Sequence, residues 1–195
     1  MRKSACDKLE SYSGYIGTKQ LLEAGVTNRQ IGALVAEGLL EKICHGSYWV
    51  NKEAYSKPKE YKAIEVCISD PKAVICADSA CFYLGLISTE PTVLSAATSR
   101  QDRRAIKMNF PVRRYYFSES NFEEAHQVVA TDFGSYQTFD LDRSVCDCIR
   151  FRKSIDTYLF DLIIDAYRER KGEQEKRLWA YARKLHVLNE VQKYL

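Results

Sequence analysis

Between Thr18 and Val50 the chain carries two short apolar-periodic runs, each closed by a glycine, and then two runs of strand-forming residues. This punctuation constrains the fold more than any other feature. Leu21 and Leu22 give the first run its buried face, and Thr18 can cap it through its side-chain oxygen. Gly25 supplies a stop that accepts the left-handed conformation. Thr27 and Gln30 then have the spacing of a capping box, so a helix is predicted over 28–37, closed by Gly38. Ile31, Leu34 and Val35 lie on one face of it. Two short strands are predicted over 40–44 and 47–50, turning at His45-Gly46. Upstream, Ala5, Leu9 and Tyr12 predict a short first helix that Gly14 ends.

Helix, helix, tight turn, helix, hairpin is the order of a winged helix-turn-helix, in which the helix after the turn enters the major groove of DNA. With Ile31, Leu34 and Val35 inward, the outward positions are Asn28, Arg29, Gln30, Ala33 and Glu37. Arg bonds a guanine edge in bidentate fashion, and Asn or Gln does the same with adenine. Gly32, Ala33 and Ala36 are small enough to let a helix approach closely. Lys19, Lys42, His45, Ser47 and Tyr48 are candidates for phosphate or wing contacts, which position a protein without reading sequence. The alternative is a winged helix that serves only as a protein-docking module, because Arg29 is the sole cation on the predicted third helix.

Charge does not decide between them. The net charge is +3, and residues 1–56 hold seven Lys/Arg against six Asp/Glu. DNA binding therefore has to come from local arrangement. Hydrophobic residues make up 46% and charged residues 28%, the mix of a globular protein. No apolar run approaches the ~18 residues that span a bilayer, and the first seven residues lack the apolar core of a signal peptide. A cytoplasmic protein with no membrane partner is expected. Its seven cysteines, an odd number, read as reduced thiols.

The polar stretch 51–59, with Pro58, reads as a linker. The expected domains are thus a winged helix-turn-helix over 1–56 and a mixed α/β domain over 57–195. In the second, helices are predicted near 60–69 and 78–84, with Asp78 as cap. Strands are predicted near 73–76, 92–97, 112–117, 127–131 and 135–139, and helices run from Asp142 onward into a terminal helical bundle. The class is α+β.

Three stretches resemble the AbiEi-type antitoxins. The first is Gly14-Tyr15-Ile16 … Leu21-Leu22-Glu23-Ala24-Gly25 … Gln30-Ile31 … Leu34-Val35 … Gly38-Leu39-Leu40-Glu41 … Gly46-Ser47-Tyr48. The second is Ala73-Val74-Ile75-Cys76 … Ser79-Ala80 … Leu84-Gly85-Leu86 … Pro91. The third runs from Thr138-Phe139-Asp140-Leu141-Asp142-Arg143 through Ile155-Asp156. Together they cover nearly the whole chain in order. The resemblance implies a type IV toxin–antitoxin (abortive infection) system. The winged helix would bind double-stranded operator DNA with inverted repeats and repress its own operon. The C-terminal domain would neutralise a nucleotidyltransferase-like toxin without a stable complex. It also implies a monomer or weak dimer that assembles on the DNA. His45 stands where family members often have an arginine before the wing glycine, which makes a contact there weaker and pH-dependent.

An enzyme needs a constellation of groups. Gly134-Ser135 followed by Asp140-Leu141-Asp142 is similar to a nucleotidyltransferase pattern, but the gap is short, and capping of a helix explains the two carboxylates more simply. Cys146-Asp147-Cys148 would turn its thiols apart on a helix, and His45, His126 and His186 are scattered. No catalytic residue, cofactor or metal is expected. Arg103, Arg104, Arg113 and Arg114 form a candidate second basic surface; the competing reading is a solvated face. Two further clusters, Arg150-Arg152-Lys153 and the one from Lys171 through Lys184, read either as solvated surface or as a binding surface for DNA backbone, toxin or RNA; interspersed Glu169, Glu173 and Glu175 favour solvated surface for the last.

Overall fold

The computed structural model describes residues 5–102, 104–123, 125–170 and 174–195. The chain is α+β and divides into two compact units. Unit 1 comprises the described residues of Met1–Pro71, Ile106–Asn109 and Ala130–Ser135; unit 2 comprises those of Lys72–Ala105, Phe110–Val129 and Tyr136–Leu195.

Unit 1 begins with α1 (Ala5–Leu9), β1 (Gly14–Gly17) and α2 (Thr18–Glu23). Thr18 is the first helical residue and not the cap. Gly17 holds the cap position, where its N–H donates to Gln20 Oε1 at 2.8 Å. After the turn comes α3 (Asn28–Ala36). The expected capping box is formed: Gln30 N donates to Thr27 Oγ1 at 3.3 Å, and Thr27 N donates to Gln30 Oε1 at 2.9 Å. β2 (Leu40–Cys44) and β3 (Ser47–Val50) follow, with a bulge between Lys42 and Cys44. β1, which the sequence reading did not anticipate, pairs antiparallel with β3 to complete a sheet of order β1-β3-β2. Leu9, Ile16, Leu21, Val26, Ile31, Leu34, Leu40 and Val50 fill the space between helices and sheet, each contributing roughly 2 kcal/mol by leaving water. Leu22, expected inside, is 45% exposed.

The stretch read as a linker is packed. Tyr55 Oη accepts from Gly14 N at 3.1 Å and donates to Val50 O at 2.8 Å. Its ring stands 5.5 Å from that of Trp49 and stacks on Phe133 at 5.7 Å. α4 (Tyr61–Ser69) belongs to the same unit. Its buried Glu65 and the partly exposed Glu41 of β2 share Lys57 Nζ, each at 2.7 Å. Gly14 has φ 76°, and a Cβ there would stand 2.8 Å from Phe133 Cδ1, so only glycine fits this close approach.

Unit 2 is built on a mixed sheet of order β6-β5-β4-β8-β7, of which β7 belongs to it up to Val129 and β8 from Tyr136. Its strands and helices run β4 (Val74–Ile75), α5 (Ala77–Tyr83), β5 (Leu94–Ser99), β6 (Val112–Phe117), a short α6 (Glu119–Phe122), β7 (His126–Thr131), β8 (Gly134–Phe139) and α7 (Leu141–Arg150). A 3-10 turn (Arg152–Ser154) leads into α8 (Thr157–Arg168), then α9 (Gln174–Lys184) and α10 (Leu188–Tyr194). β4 pairs antiparallel with β5 and parallel with β8, and β5 pairs parallel with β6. α5 packs on α7, and α7 packs on α8, α9 and α10. α7 is therefore enclosed between its ends: Val145, Cys146, Cys148 and Ile149 have no exposure, and neither do the charged Arg143 and Asp147. No helix among the described residues is long and apolar enough to cross a membrane.

Candidate nucleic-acid interface

α3 is the element on which the groove-reading expectation rests. Ile31 and Leu34 are buried, which turns Asn28, Arg29, Gly32, Ala33, Ala36 and Glu37 to the exposed side. Asn28, Gly32 and Ala36 form one row at four-residue spacing, and Arg29 and Ala33 the next. A Cβ on Gly32 would meet no heavy atom within 4 Å. The exposed face is thus a smooth stripe with two polar side chains at its N-terminal end. Neither Asn28 nor Arg29 has a hydrogen-bond or ion-pair partner for its side chain among the described residues. Gln30 differs: its carbonyl oxygen is engaged by Thr27 from both the backbone and the hydroxyl, at 2.9 and 3.0 Å. It is half-buried and works for the helix terminus.

The hairpin positions the other candidates. Lys42 and Tyr48 are cross-strand partners. Lys42 is exposed, whereas Tyr48 is half-buried against the core of unit 1. His45 is exposed and Ser47 half-buried on either side of Gly46, whose φ of 78° makes the turn. Gly46 O accepts from Thr18 N at 2.8 Å, which ties the turn to the start of α2. Lys19, one residue on, is 90% exposed and only loosely paired with Glu23 at 3.9 Å. Asn28, Arg29, Lys19, Lys42 and His45 are therefore open to solvent, and Gln30, Ser47 and Tyr48 are partly engaged.

Of the second basic surface, Arg104, Arg113 and Arg114 are among the described residues, and two of them have acidic or carbonyl partners. Arg103 lies outside the described residues. Arg104 grips Asp102, with Nη2 to Oδ2 at 2.5 Å and Nε to Oδ1 at 3.1 Å. This pairing holds the Asp102 carboxyl well below the usual carboxylate range. Arg114, on β6, turns toward Asp102 and Arg104. Its Nε donates to Thr98 Oγ1 at 2.6 Å, Nη2 to Asp102 O at 2.8 Å, and Nη1 to Arg104 O. Arg113 is half-buried and lines a cavity. Two of these arginines are thus engaged by Asp102, Thr98 and two backbone carbonyls, an arrangement that depends on how the chain folds around Asp102 and not on local spacing.

The two carboxylates near α7 also have partners. Asp140 caps the helix, accepting from Arg143 N at 2.8 Å, and takes a second bond from Tyr181 Oη at 2.7 Å. Asp142 is buried, accepts from Tyr167 Oη at 2.8 Å and lies 2.9 Å from Arg177 Nε. Among the described residues no group of three or more His, Cys, Asp or Glu is arranged to hold a metal ion.

No family model and no curated protein matches the sequence. Among solved structures, the RV2827C protein from Mycobacterium tuberculosis is similar in fold, with a TM-score of 0.64 at 13% identity. The match covers 95% of this chain and 75% of that one, and at this identity it concerns the fold alone.

Proposed function

We propose that the N-terminal part is a winged helix-turn-helix that docks α3 in the major groove of operator DNA, and that the chain is an autorepressing antitoxin of the AbiEi kind. The observation that carries the DNA reading is the exposed stripe of α3: Asn28 and Arg29 unpartnered among the described residues, beside Gly32, Ala33 and Ala36. Such a stripe permits close approach to base edges, and its two polar groups are the types that read adenine and guanine. Lys19, Lys42 and His45 would meet phosphates. The unit is close to neutral, so occupancy of two half-sites of an inverted repeat would supply the rest of the affinity. The antitoxin assignment rests on the resemblance of the sequence motifs. The proposed partner is a nucleotidyltransferase-like toxin, neutralised without a stable complex.

The test is a fluorescence-anisotropy titration of the DNA upstream of the gene at several salt concentrations. Arg29→Ala is expected to weaken specific binding roughly ten-fold or more, and Lys42→Ala to lower the salt slope by about one. Equal affinity of wild type and both variants sinks the interface. Co-expression with the toxin should restore growth without co-purification.

Leu22 favours a second reading. A leucine 45% exposed on α2 is a natural anchor for a protein partner. Under that reading Leu22→Ser abolishes capture of the toxin, and no DNA is retained by any variant.

A further inference from the structure

β4 hands over to α5 through Cys76, Ala77 and Asp78, and the backbone there is strained. Ala77 has φ 49°, a left-handed conformation that a residue with a Cβ keeps only where its surroundings impose it. The strained step brings Asp78 to the wall of a cavity of about 200 Å³ in unit 2. Asp78 is 3% exposed. One of its oxygens accepts from Ser79 N at 2.9 Å. The fully buried Ser95 hydroxyl stands beside the carboxylate and favours its charged form. Burial pushes the Asp78 carboxyl up, and Arg113, in register with Ser95 on the neighbouring strand, partly offsets this.

The rest of the lining sets the chemistry. Val93 and Leu159 give apolar wall, and Tyr158 lines the cavity with an aromatic ring although it is 67% exposed. Glu90 and Asp156 also line it, Asp156 with one oxygen accepting from Leu159 N at 3.0 Å, so its charged lining is three acidic residues and one arginine. We infer that this cavity binds a small organic cation, an ammonium or guanidinium group on a short apolar stem. The carboxylates attract the charge, Asp78 accepts its hydrogen bonds, the apolar wall takes the stem, and the Tyr158 ring offers a cation–π face. The cavity falls below the roughly 300 Å³ at which drug-sized sites begin. Its occupant is therefore a small molecule or a single side chain. A free diamine and a Lys or Arg side chain of a partner share this chemistry.

The test is an NMR titration of the full chain with four probes: putrescine, agmatine, N-acetyl-lysine amide and N-acetyl-arginine amide. Saturable shifts are expected at the amides of Asp78, Val93 and Tyr158. Asp78→Asn, which keeps the size of the side chain, should raise the dissociation constant roughly ten-fold or more. Tyr158→Ala, at an exposed position, should raise it about three-fold. Saturation by the diamine or agmatine alone assigns the site to free amines, and saturation by the amino-acid amides assigns it to a protein side chain. No saturable shift with any probe overturns the proposal, as does a constant unchanged in Asp78→Asn. Should that variant not fold, an unchanged constant in Tyr158→Ala overturns it instead.

Discussion

Arg143 and Asp147 stand one turn apart on α7 with no exposure at all, joined by Arg143 Nε to Asp147 Oδ2 at 3.0 Å. The guanidinium carbon lies 4.6 Å from the centre of the Phe139 ring and 5.2 Å from that of Phe117. Both Nη atoms and Asp147 Oδ1 lack hydrogen-bond partners among the described residues. Burial outweighs the neighbouring cation and pushes the Asp147 carboxyl up to about 6, against ~3.9 in an unfolded chain. Between those values the folded protein holds a proton that the unfolded chain has released. Its contribution to stability is therefore complete below about pH 4 and is lost as pH rises through 6, by at most about 3 kcal/mol. Urea unfolding at pH 4.5 and pH 7.5 checks this: the stability of wild type relative to Asp147→Asn should fall over that interval. Removing only the cation, as in Arg143→Met, should cost about 3–5 kcal/mol at pH 7, and adding Asp147→Leu should recover most of it. A double variant no more stable than the single one would contradict this account.

On α3 the residues that hold the helix differ from those proposed to read DNA, so its variants can be read cleanly. Thr27→Ala removes the cap and should cost about 1 kcal/mol by thermal melting. Gly32→Ala should add about 1 kcal/mol, because a helix interior favours Ala and the new methyl meets nothing. Ala33→Glu should leave the melting temperature unchanged and abolish retention of operator DNA; binding at wild-type affinity would remove α3 from the interface. Thr27 and Gln30 made this helix legible, because a capping box is local chemistry that needs no distant partner. β1 was illegible for the opposite reason. Gly14–Gly17 is too short to show alternation and is a strand only because β3 pairs with it. Leu22 followed the apolar pattern of its neighbour Leu21 yet faces solvent, since a six-residue helix buries a narrow stripe. Asp78 read as a helix cap. Cys76 holds that position, and the left-handed Ala77, which no residue type announces, turns the carboxylate toward a cavity. The candidate residues Asn28 and Arg29 were readable because exposure follows from helical period, whereas the engagement of Arg104 and Arg114 depends on a loop fold.

On the scale of the whole molecule, unit 1 is discontinuous in sequence. Trp49, 2% exposed, is ringed by Tyr15 at 4.9 Å, Tyr55 at 5.5 Å and Phe133 at 5.3 Å between ring centres. Three of the four aromatics lie before residue 56, and the fourth arrives from the turn between β7 and β8. Phe133→Ala should destabilise unit 1 by about 2 kcal/mol, less than a fully buried phenylalanine because the ring is half-exposed. Loss of Trp49 fluorescence at lower urea would report it, and an unchanged midpoint would show that the ring closes without Phe133. The expectation of a module complete by residue 56 follows the helix and strand signals, but packing does not respect that point, because Tyr55, Lys57 and Glu65 continue it. The gap between Trp49 and Phe133 also sets an order in time. A ribosome must pass residue 133 before the aromatic ring can close, so a nascent or prematurely terminated chain that already carries α3 and the hairpin still lacks its final brace. Fragments from interrupted translation would then make poor competitors for whatever the finished protein binds.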